Sequence, residues 1–247
     1  MSAREMIFGL HAVQAILERS PERVLELFVL KGRDDQRQQQ VLALARRQGL
    51  AMTGRSRQQL DDLVAGANHQ GVVARVRPAP LANESDLADL VSAAGDKVLL
   101  LVLDGVTDPH NLGACLRTAD AAGATAVVIP RDRAVGLTPV VRKVASGAAE
   151  HLPLVAVTNL ARTLDALKDQ GLWIVGTSDT ADQDLYAMDL RQPVALVMGA
   201  EGQGMRRLTA ERCDMLVRLP MRGSVESLNV SVAAGVCLYE ALRQRAS

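Results

Sequence analysis

The chain has 247 residues, 48% of them hydrophobic, which suits one large globular domain or two smaller ones with packed cores. Its longest clean apolar run, residues 98–103, is far shorter than the roughly 20 residues that span a bilayer, and no signal-peptide core is evident, so we expect a cytoplasmic protein without membrane segments. The 28 basic and 28 acidic side chains cancel, and three widely spaced cysteines without a Cys-x-x-Cys pair argue against disulfides and a metal site.

The front of the chain alternates helical and strand patterns. In chain order they predict a helix over 9–19, a strand over 24–30, a helix over 37–48, a helix over 56–64 capped by Ser56, and a strand over 71–76. These elements define a small α/β domain, residues 1–78. Residues 79–97, with a proline, Asn83, Ser85 and Gly95, indicate a linker with a weak central helix.

The remainder, residues 98–247, indicates a second α/β domain. Strands are predicted over 98–104, 126–130, 152–157, 172–177, 194–199 and 215–219, and a final helix over 229–244. Several of these strands are continuous runs of Val, Leu and Ile, which is typical of strands covered on both faces. The pattern therefore predicts a parallel sheet flanked by helices.

Charge is unevenly distributed between the two parts. Residues 1–80 hold 12 basic against 8 acidic side chains, and residues 81–247 hold 16 against 20. The net charge of zero argues weakly against a nucleic-acid partner. The excess of basic side chains in residues 1–80 is compatible with such a partner, since guanidinium groups suit phosphate oxygens. Either a solvated surface or a phosphate-contacting face would account for Arg46, Arg47, Arg55, Arg57, Arg75 and Arg77. Only 2% of the residues are aromatic, so a base-stacking platform is not expected.

The first of three motifs follows the strand over 98–104. It runs from Asp104 to Arg117, and in it Asn111 is placed to cap the following helix, with Arg117 about one and a half turns further along. Asp104 and Asp108 are interpreted as residues that shape the loop.

The second motif, residues 198–205, places Gly199, Glu201 and Gly204 directly after an apolar strand. Glycines there permit close backbone approach to a ligand or a tight turn, and their spacing differs from that of a dinucleotide-binding loop. The third motif, residues 219–232, joins a strand end to the start of the final helix, where backbone amides can meet polar ligand atoms. Because strand ends share one edge of a parallel sheet, the three motifs predict one composite pocket.

In wording, order and spacing the three motifs resemble the SpoU (TrmH-like) family of RNA 2′-O-ribose methyltransferases, within the SPOUT class. Two front segments, Phe8-Gly-Leu-His-Ala-Val and His69-Gln-Gly-Val, extend the resemblance over nearly the whole chain. It implies a C-terminal α/β trefoil-knot domain, a small L30e-like RNA-binding domain, a homodimer, and S-adenosylmethionine as cofactor. The layout is similar to that of family members that methylate a guanosine in the peptidyl-transferase-centre loop of 23S rRNA.

The resemblance also implies roles for individual residues. Those implied to be catalytic are Asn111, Arg117, Glu201, Ser227 and Asn229, with Arg117 acting on the phosphate and ribose of the target nucleotide. Those implied to hold the cofactor are Gly199, Gly204, Leu219, Met221 and Leu228.

Other functions remain open at this point. Within the class, a tRNA guanosine methylase and an adenosine-targeting resistance methylase are alternatives to the rRNA enzyme. Two alternatives come from other functional classes. The glycine motif is compatible with a nucleotide-dependent oxidoreductase, and the basic residues 1–80 are compatible with a non-catalytic RNA-binding scaffold.

Overall fold

The computed structural model describes residues 4–32, 35–78, 81–132 and 134–246. Its elements, in chain order, are β1 (Glu5–Phe8), α1 (Leu10–Arg19), β2 (Val24–Leu30), α2 (Gln36–Arg47), β3 (Met52–Arg55), α3 (Arg57–Leu63), β4 (Val72–Val76), α4 (Glu84–Ala94), β5 (Leu99–Asp104), α5 (Pro109–Ala121), β6 (Ala126–Pro130), α6 (Pro139–Val144), β7 (Leu154–Val157), α7 (Leu160–Asp169), β8 (Trp173–Thr177), β9 (Gln183–Asp184), β10 (Val194–Gly199), α8 (Arg207–Glu211), β11 (Met215–Arg218) and α9 (Val230–Arg245).

The chain divides into two compact units. The first comprises Met1–Pro80 and Leu137–His151, and the second comprises Leu81–Gly136 and Leu152–Ser247. The first unit contains a four-stranded mixed sheet in the order β1-β4-β2-β3, in which β2 and β3 are parallel. Apolar side chains of α1 and α2 cover one face of this sheet, and α3 packs against the other. The predicted helices and strands of this part are present, α3 with a capping box at Ser56, and β1 and β3 complete the sheet.

The segment Leu137–His151 belongs to the first unit, whereas the predicted domains placed it in the second. The reason is a buried charge network. Arg142, only 3% exposed, donates to Glu5 at 2.9 Å and pairs with Glu150, and Glu150 also pairs with Arg23 at 3.0 Å. Since buried charges are stable only when paired, this network fixes α6 to the strands and helices of the first unit.

The second unit has the predicted architecture, a parallel α/β sheet. Its seven strands are all parallel, in the order β7-β6-β5-β10-β8-β11-β9. The six predicted strands are found within two residues of their predicted bounds, and the two-residue β9 is additional. Strands β5, β6 and β7 are buried at every position, as their Val- and Leu-rich sequences predict.

The helix predicted in the middle of the 79–97 segment is present, but it is packed into the second unit. Residues 84–94 form α4, which begins at a capping box between Asn83 and Asp86. Its Leu87 and Val91, four residues apart on one face, are buried in the core of the second unit. Burial of this apolar face outweighs the turn-forming residues around it, so α4 is part of the second unit.

The C-terminal helix returns from the edge of the sheet to its centre. Helix α9 follows β11 and packs against α5 and β10. At its end, Arg245 donates hydrogen bonds to the carbonyl oxygens of Lys97, Val98, Leu190 and Gln192. The trefoil knot that the resemblance implies requires a return of this kind. Within the four described ranges, no helix is long and apolar enough to cross a membrane.

Candidate functional site

A cavity of about 440 Å³ lies at the carboxyl edge of the second unit's sheet. Strands β5 and β10 are parallel neighbours with Gly199 opposite Asp104, so the loops that follow them emerge side by side. The chain winds from β5 towards β7 on one side and places β10 on the other, and ligands of open α/β sheets bind at such a reversal. The cavity is lined by Asp104, Gly105, Val106, Thr107, Asp108, Asn111, Ala200, Glu201, Gln203, Gly204, Met205, Arg206 and Val230.

Three of the predicted catalytic residues meet in one hydrogen-bonded cluster. The Nδ2 atom of Asn229 donates to Oε1 of Glu201 at 2.6 Å and to Oδ1 of Asn111 at 2.9 Å. The same Glu201 oxygen accepts from the backbone N–H of Val230 at 3.1 Å. Each of the three side chains comes from a different sequence motif, so the fold joins the motifs as predicted at this point.

The local roles of two asparagines differ from each other. Asn229 is the N-cap of α9, because its Oδ1 accepts from the backbone N–H of Ser231 at 2.9 Å. The predicted cap role of Asn111 is wrong, since Asp108 caps α5 by accepting from the backbone N–H of His110 at 2.8 Å. Asn111 therefore lies within the first turn of α5, where its side chain is available to the cavity.

Two predicted catalytic residues lie outside this cluster. Arg117 is exposed on α5, and among the described residues it has no hydrogen-bond or ion-pair partner. Ser227 is also exposed and precedes the helix start at Val230. Neither residue lines the cavity.

The glycines of the second motif shape a tight loop. Ala200 and Gly204 exchange two backbone hydrogen bonds, at 3.0 and 2.9 Å, and Gly202 and Gly204 have left-handed φ angles of 73° and 66°. A β-carbon on Gly199 would lie 2.2 Å from the carbonyl carbon of Gly204. Gly199 is thus required for close packing of the loop on the strand. Of the five residues predicted to hold the cofactor, Gly204 lines the cavity, whereas Gly199, Leu219, Met221 and Leu228 do not.

An ion pair that the motifs did not reveal anchors this loop. Asp104, 1% exposed, accepts from the backbone N–H of Arg206 at 2.9 Å and from its Nε at 2.6 Å. The two residues lie 102 positions apart in sequence. The sequence predicts that Asp104 shapes its own loop, whereas the hydrogen bonds show that it fixes the end of the second motif's loop.

Cysteine chemistry is not favoured beside the cluster. Burial, followed by the negative charge of Glu201, raises the pKa of the Cys115 thiol to about 12, which keeps this thiol protonated near neutral pH. In the part of the chain that the structure describes, no group of three or more His, Cys, Asp or Glu side chains is placed to hold a metal ion.

Comparison with known families assigns both parts of the chain. The model of the SpoU rRNA Methylase family matches residues 98–239. The chain belongs to this family. A second model, described as RNA 2′-O ribose methyltransferase substrate binding, matches residues 6–82. The family assignment agrees with the resemblance drawn from the three motifs.

Individual members of the SpoU family are similar over nearly their full length. The 23S rRNA (guanosine-2′-O-)-methyltransferase RlmB of Photobacterium profundum is 58% identical over 243 residues, 98% of this chain and 99% of that protein. The RlmB of Pseudomonas putida is 58% identical over 245 residues, 99% and 98% of the two chains. Among solved structures, the SpoU methyltransferase AviRb of Streptomyces viridochromogenes in complex with AdoMet has a TM-score of 0.81 at 26% identity, covering 98% of this chain and 91% of AviRb.

Proposed function

We propose that this protein transfers a methyl group from S-adenosylmethionine to the 2′-hydroxyl of a guanosine in the peptidyl-transferase-centre loop of 23S rRNA, in the cytoplasm. The observation that carries the proposal is the 58% identity, over nearly the whole chain, to methyltransferases named for this reaction. The hydrogen-bonded cluster of Asn111, Glu201 and Asn229 supports the proposal, because this cluster places polar groups at the edge of the sheet where the strand order reverses.

The cavity fits the cofactor that SpoU methyltransferases use. Its volume of about 440 Å³ falls within the roughly 300 to 1,000 Å³ typical of small-molecule sites. Its wall combines the backbone of the glycine loop with carboxylate and amide side chains, which suits a ligand bearing an adenosine, an amino group and a carboxylate. When bound, S-adenosylmethionine supplies an electrophilic methyl group on a sulfonium. We propose that Gly204 contacts the cofactor within the cavity, and that Gly199, Leu219, Met221 and Leu228, which do not line the cavity, contact the part of the cofactor that extends beyond it.

The protein's task is then to align a ribose hydroxyl and assist loss of its proton. Glu201 accepts two hydrogen bonds on one oxygen and so fixes the amide of Asn229. The amide of Asn229 also donates a hydrogen bond to Oδ1 of Asn111. The Nδ2 group of Asn111 is then available to donate to a ribose oxygen in the cavity. We assign positioning of the same ribose to Ser227, which needs movement of the loop that precedes α9.

Arg117 is proposed to act on the RNA rather than on the cofactor. Its guanidinium has no partner among the described residues, so it is available to a phosphate of the target nucleotide. It does not serve as a free base, because the pKa of arginine exceeds about 12. A substrate phosphate next to Arg117 would take part in removing the hydroxyl proton, or Arg117 would only polarise that hydroxyl.

Arg117→Ala tests this assignment. We expect S-adenosylmethionine affinity to stay within a few-fold while single-turnover methylation falls by a factor on the order of 10², the scale of an aligned electrostatic group. Arg117→Lys should recover activity only in part, since an ammonium lacks the planar fork. Arg162→Ala, which removes an exposed arginine from α7, is the matched control. Near-normal methylation by Arg117→Ala would refute the role of Arg117.

The substrate is tested in cells and in vitro. Mass spectrometry of rRNA and tRNA from a deletion strain should show loss of one 2′-O-methylguanosine from 23S rRNA, restored by the wild-type gene. Loss of a tRNA modification instead would assign the tRNA alternative. Absence of radiolabelled methyl transfer to any unmodified RNA would favour the non-catalytic scaffold.

A homodimer is proposed from the surface of α9. Val232, Tyr239 and Leu242 are 51%, 50% and 37% exposed and recur at intervals of seven and three residues, so they form one apolar stripe. Single exposed apolar residues are common, but a contiguous stripe of this kind marks an interface. Light scattering should give twice the mass of one chain. Val232→Glu, which places a charge in the stripe, should give monomers.

A further inference from the structure

One face of the first unit's sheet is covered by helix over only part of its area. Side chains alternate along the strands, so Phe28, Thr53 and Arg75 share the face opposite to α1 and α2. On this face, α3 covers the end that contains Phe8, Phe28 and Val73. We call the remaining group, Glu26, Thr53, Arg55 and Arg75 around the Phe28 ring, the cationic face.

Two guanidinium groups lie over the same aromatic ring. The central carbons of Arg55 and Arg75 are 5.6 and 5.0 Å from the centre of the Phe28 ring, and this ring is only 1% exposed. Both arginines are half-buried, so their stems shield the ring while their N–H groups remain near solvent. A cation–π contact restricts a guanidinium without using its N–H donors, and for Arg55 this leaves the donors free for a phosphate.

The two arginines differ in their acidic partners. Arg75 pairs with Glu26 at 2.9 Å, and Glu26 also accepts from the hydroxyl of Thr53 at 3.1 Å. Arg55 has no acidic partner among the described residues, so none of them neutralises its charge. The cationic face thus contains one ordered, compensated cation and one uncompensated cation.

The basic residues at the front of the chain do not form a single surface. Arg46 and Arg47 are exposed in the last turn of α2, which packs on the opposite side of the sheet through Val41 and Ala45. They carry the same charge as Arg55 but lack the aromatic support. The fold therefore provides an internal comparison between stacked and freely solvated arginines.

We propose that the cationic face binds the phosphodiester backbone of the RNA substrate, with Arg55 as the principal contact and Arg75 held in place by Glu26. The inference rests on the proposed RNA methyltransferase function. Because the Phe28 ring is covered by guanidinium groups, this face contacts phosphates and does not stack bases. Its contribution is to affinity and register, while the cavity of the second unit performs the chemistry.

The test measures binding of an unmodified transcript of the peptidyl-transferase-centre region of 23S rRNA as a function of KCl concentration. Arg55→Gln should weaken binding on the order of fivefold near 0.1 M salt and reduce the salt slope by about one, as loss of one phosphate contact predicts. Arg47→Gln, the matched control with the same charge change, should shift the affinity less than twofold. At saturating transcript, kcat of Arg55→Gln should equal that of the wild type while KM rises.

Glu26→Gln gives a result of opposite sign. Removing this carboxylate deletes a negative charge beside the phosphate and frees the Nη1 donor of Arg75, while the Phe28 ring still orients its guanidinium, so RNA affinity should increase. A purely structural role for the pair would instead leave affinity unchanged or reduce it. Equal effects of Arg55→Gln and Arg47→Gln, or unchanged or weaker binding by a natively folded Glu26→Gln, would overturn the proposal. Methyl transfer by the wild type is scored separately, so failure of this inference is distinguishable from failure of the proposed function.

Discussion

Removal of Arg206 should destabilise the second unit more than neutralisation of its partner Asp104. The Asp104 side chain has no solvent exposure, whereas that of Arg206 is 45% exposed. In Arg206→Ala the buried carboxylate keeps only the backbone N–H of residue 206. Breaking a buried pair from one side costs about 3 to 5 kcal/mol, and the remaining hydrogen bond places the expected loss near the lower value, about 3 kcal/mol. In Asp104→Asn the amide oxygen retains that hydrogen bond and Arg206 turns to water, so we expect a loss of about 1 kcal/mol.

Urea unfolding followed by tryptophan fluorescence measures this difference in the relevant unit, because the single tryptophan, Trp173, lies on β8. Cofactor affinity, measured by calorimetry, should fall further for Arg206→Ala than for Asp104→Asn, since Arg206 ends the loop that lines the cavity. Equal destabilisation by the two substitutions, or a greater loss for Asp104→Asn, would contradict the asymmetry of burial on which the prediction depends.

Three further substitutions have defined outcomes. Gly199→Ala should lower cofactor affinity at least tenfold in calorimetry, because its β-carbon would overlap the backbone of Gly204 and displace the loop. Arg142→Met should cost about 3 kcal/mol, seen as faster hydrogen exchange in β1, because it removes a cation from two glutamates. Hydrogen bonds from Arg243, followed by Gln244, hold the pKa of Glu240 at about 2. The resulting stability is complete above pH about 4.5 and lost as pH falls towards 2, so Glu240→Gln should flatten this part of the acid-unfolding curve.

The first substitution has a matched control, and the other two have outcomes that would contradict them. Gly136→Ala tests the general effect of an added methyl group, since no atom lies within 4 Å of the β-carbon position there. Unchanged exchange in β1 after Arg142→Met would show that the network does not hold α6. An acid-unfolding curve for Glu240→Gln that matches the wild type would assign the acid sensitivity to other carboxylates.

Several features of this protein follow from sequence alone because their causes are local. Continuous apolar runs predict the buried parallel strands, since a strand covered on both faces needs no polar alternation. The position of the pocket follows as well, because parallel strands deliver the loops after β5 and β10 to one edge. The strand pattern does not select individual side chains, and it is the resemblance to the SpoU family that implies a common role for Asn111, Glu201 and Asn229, which Asn229 joins by hydrogen bonds.

Other features were decided only by tertiary structure. Asp108 and Asn111 are both capable helix caps, and the path of the loop selected Asp108. The segment containing Arg142 joins the first unit through Glu5, which lies 137 positions away in sequence. Asp104 and Arg206 likewise meet across 102 positions. Local patterns report the burial of a segment but not its distant partner, and the energy of a buried charge depends on that partner.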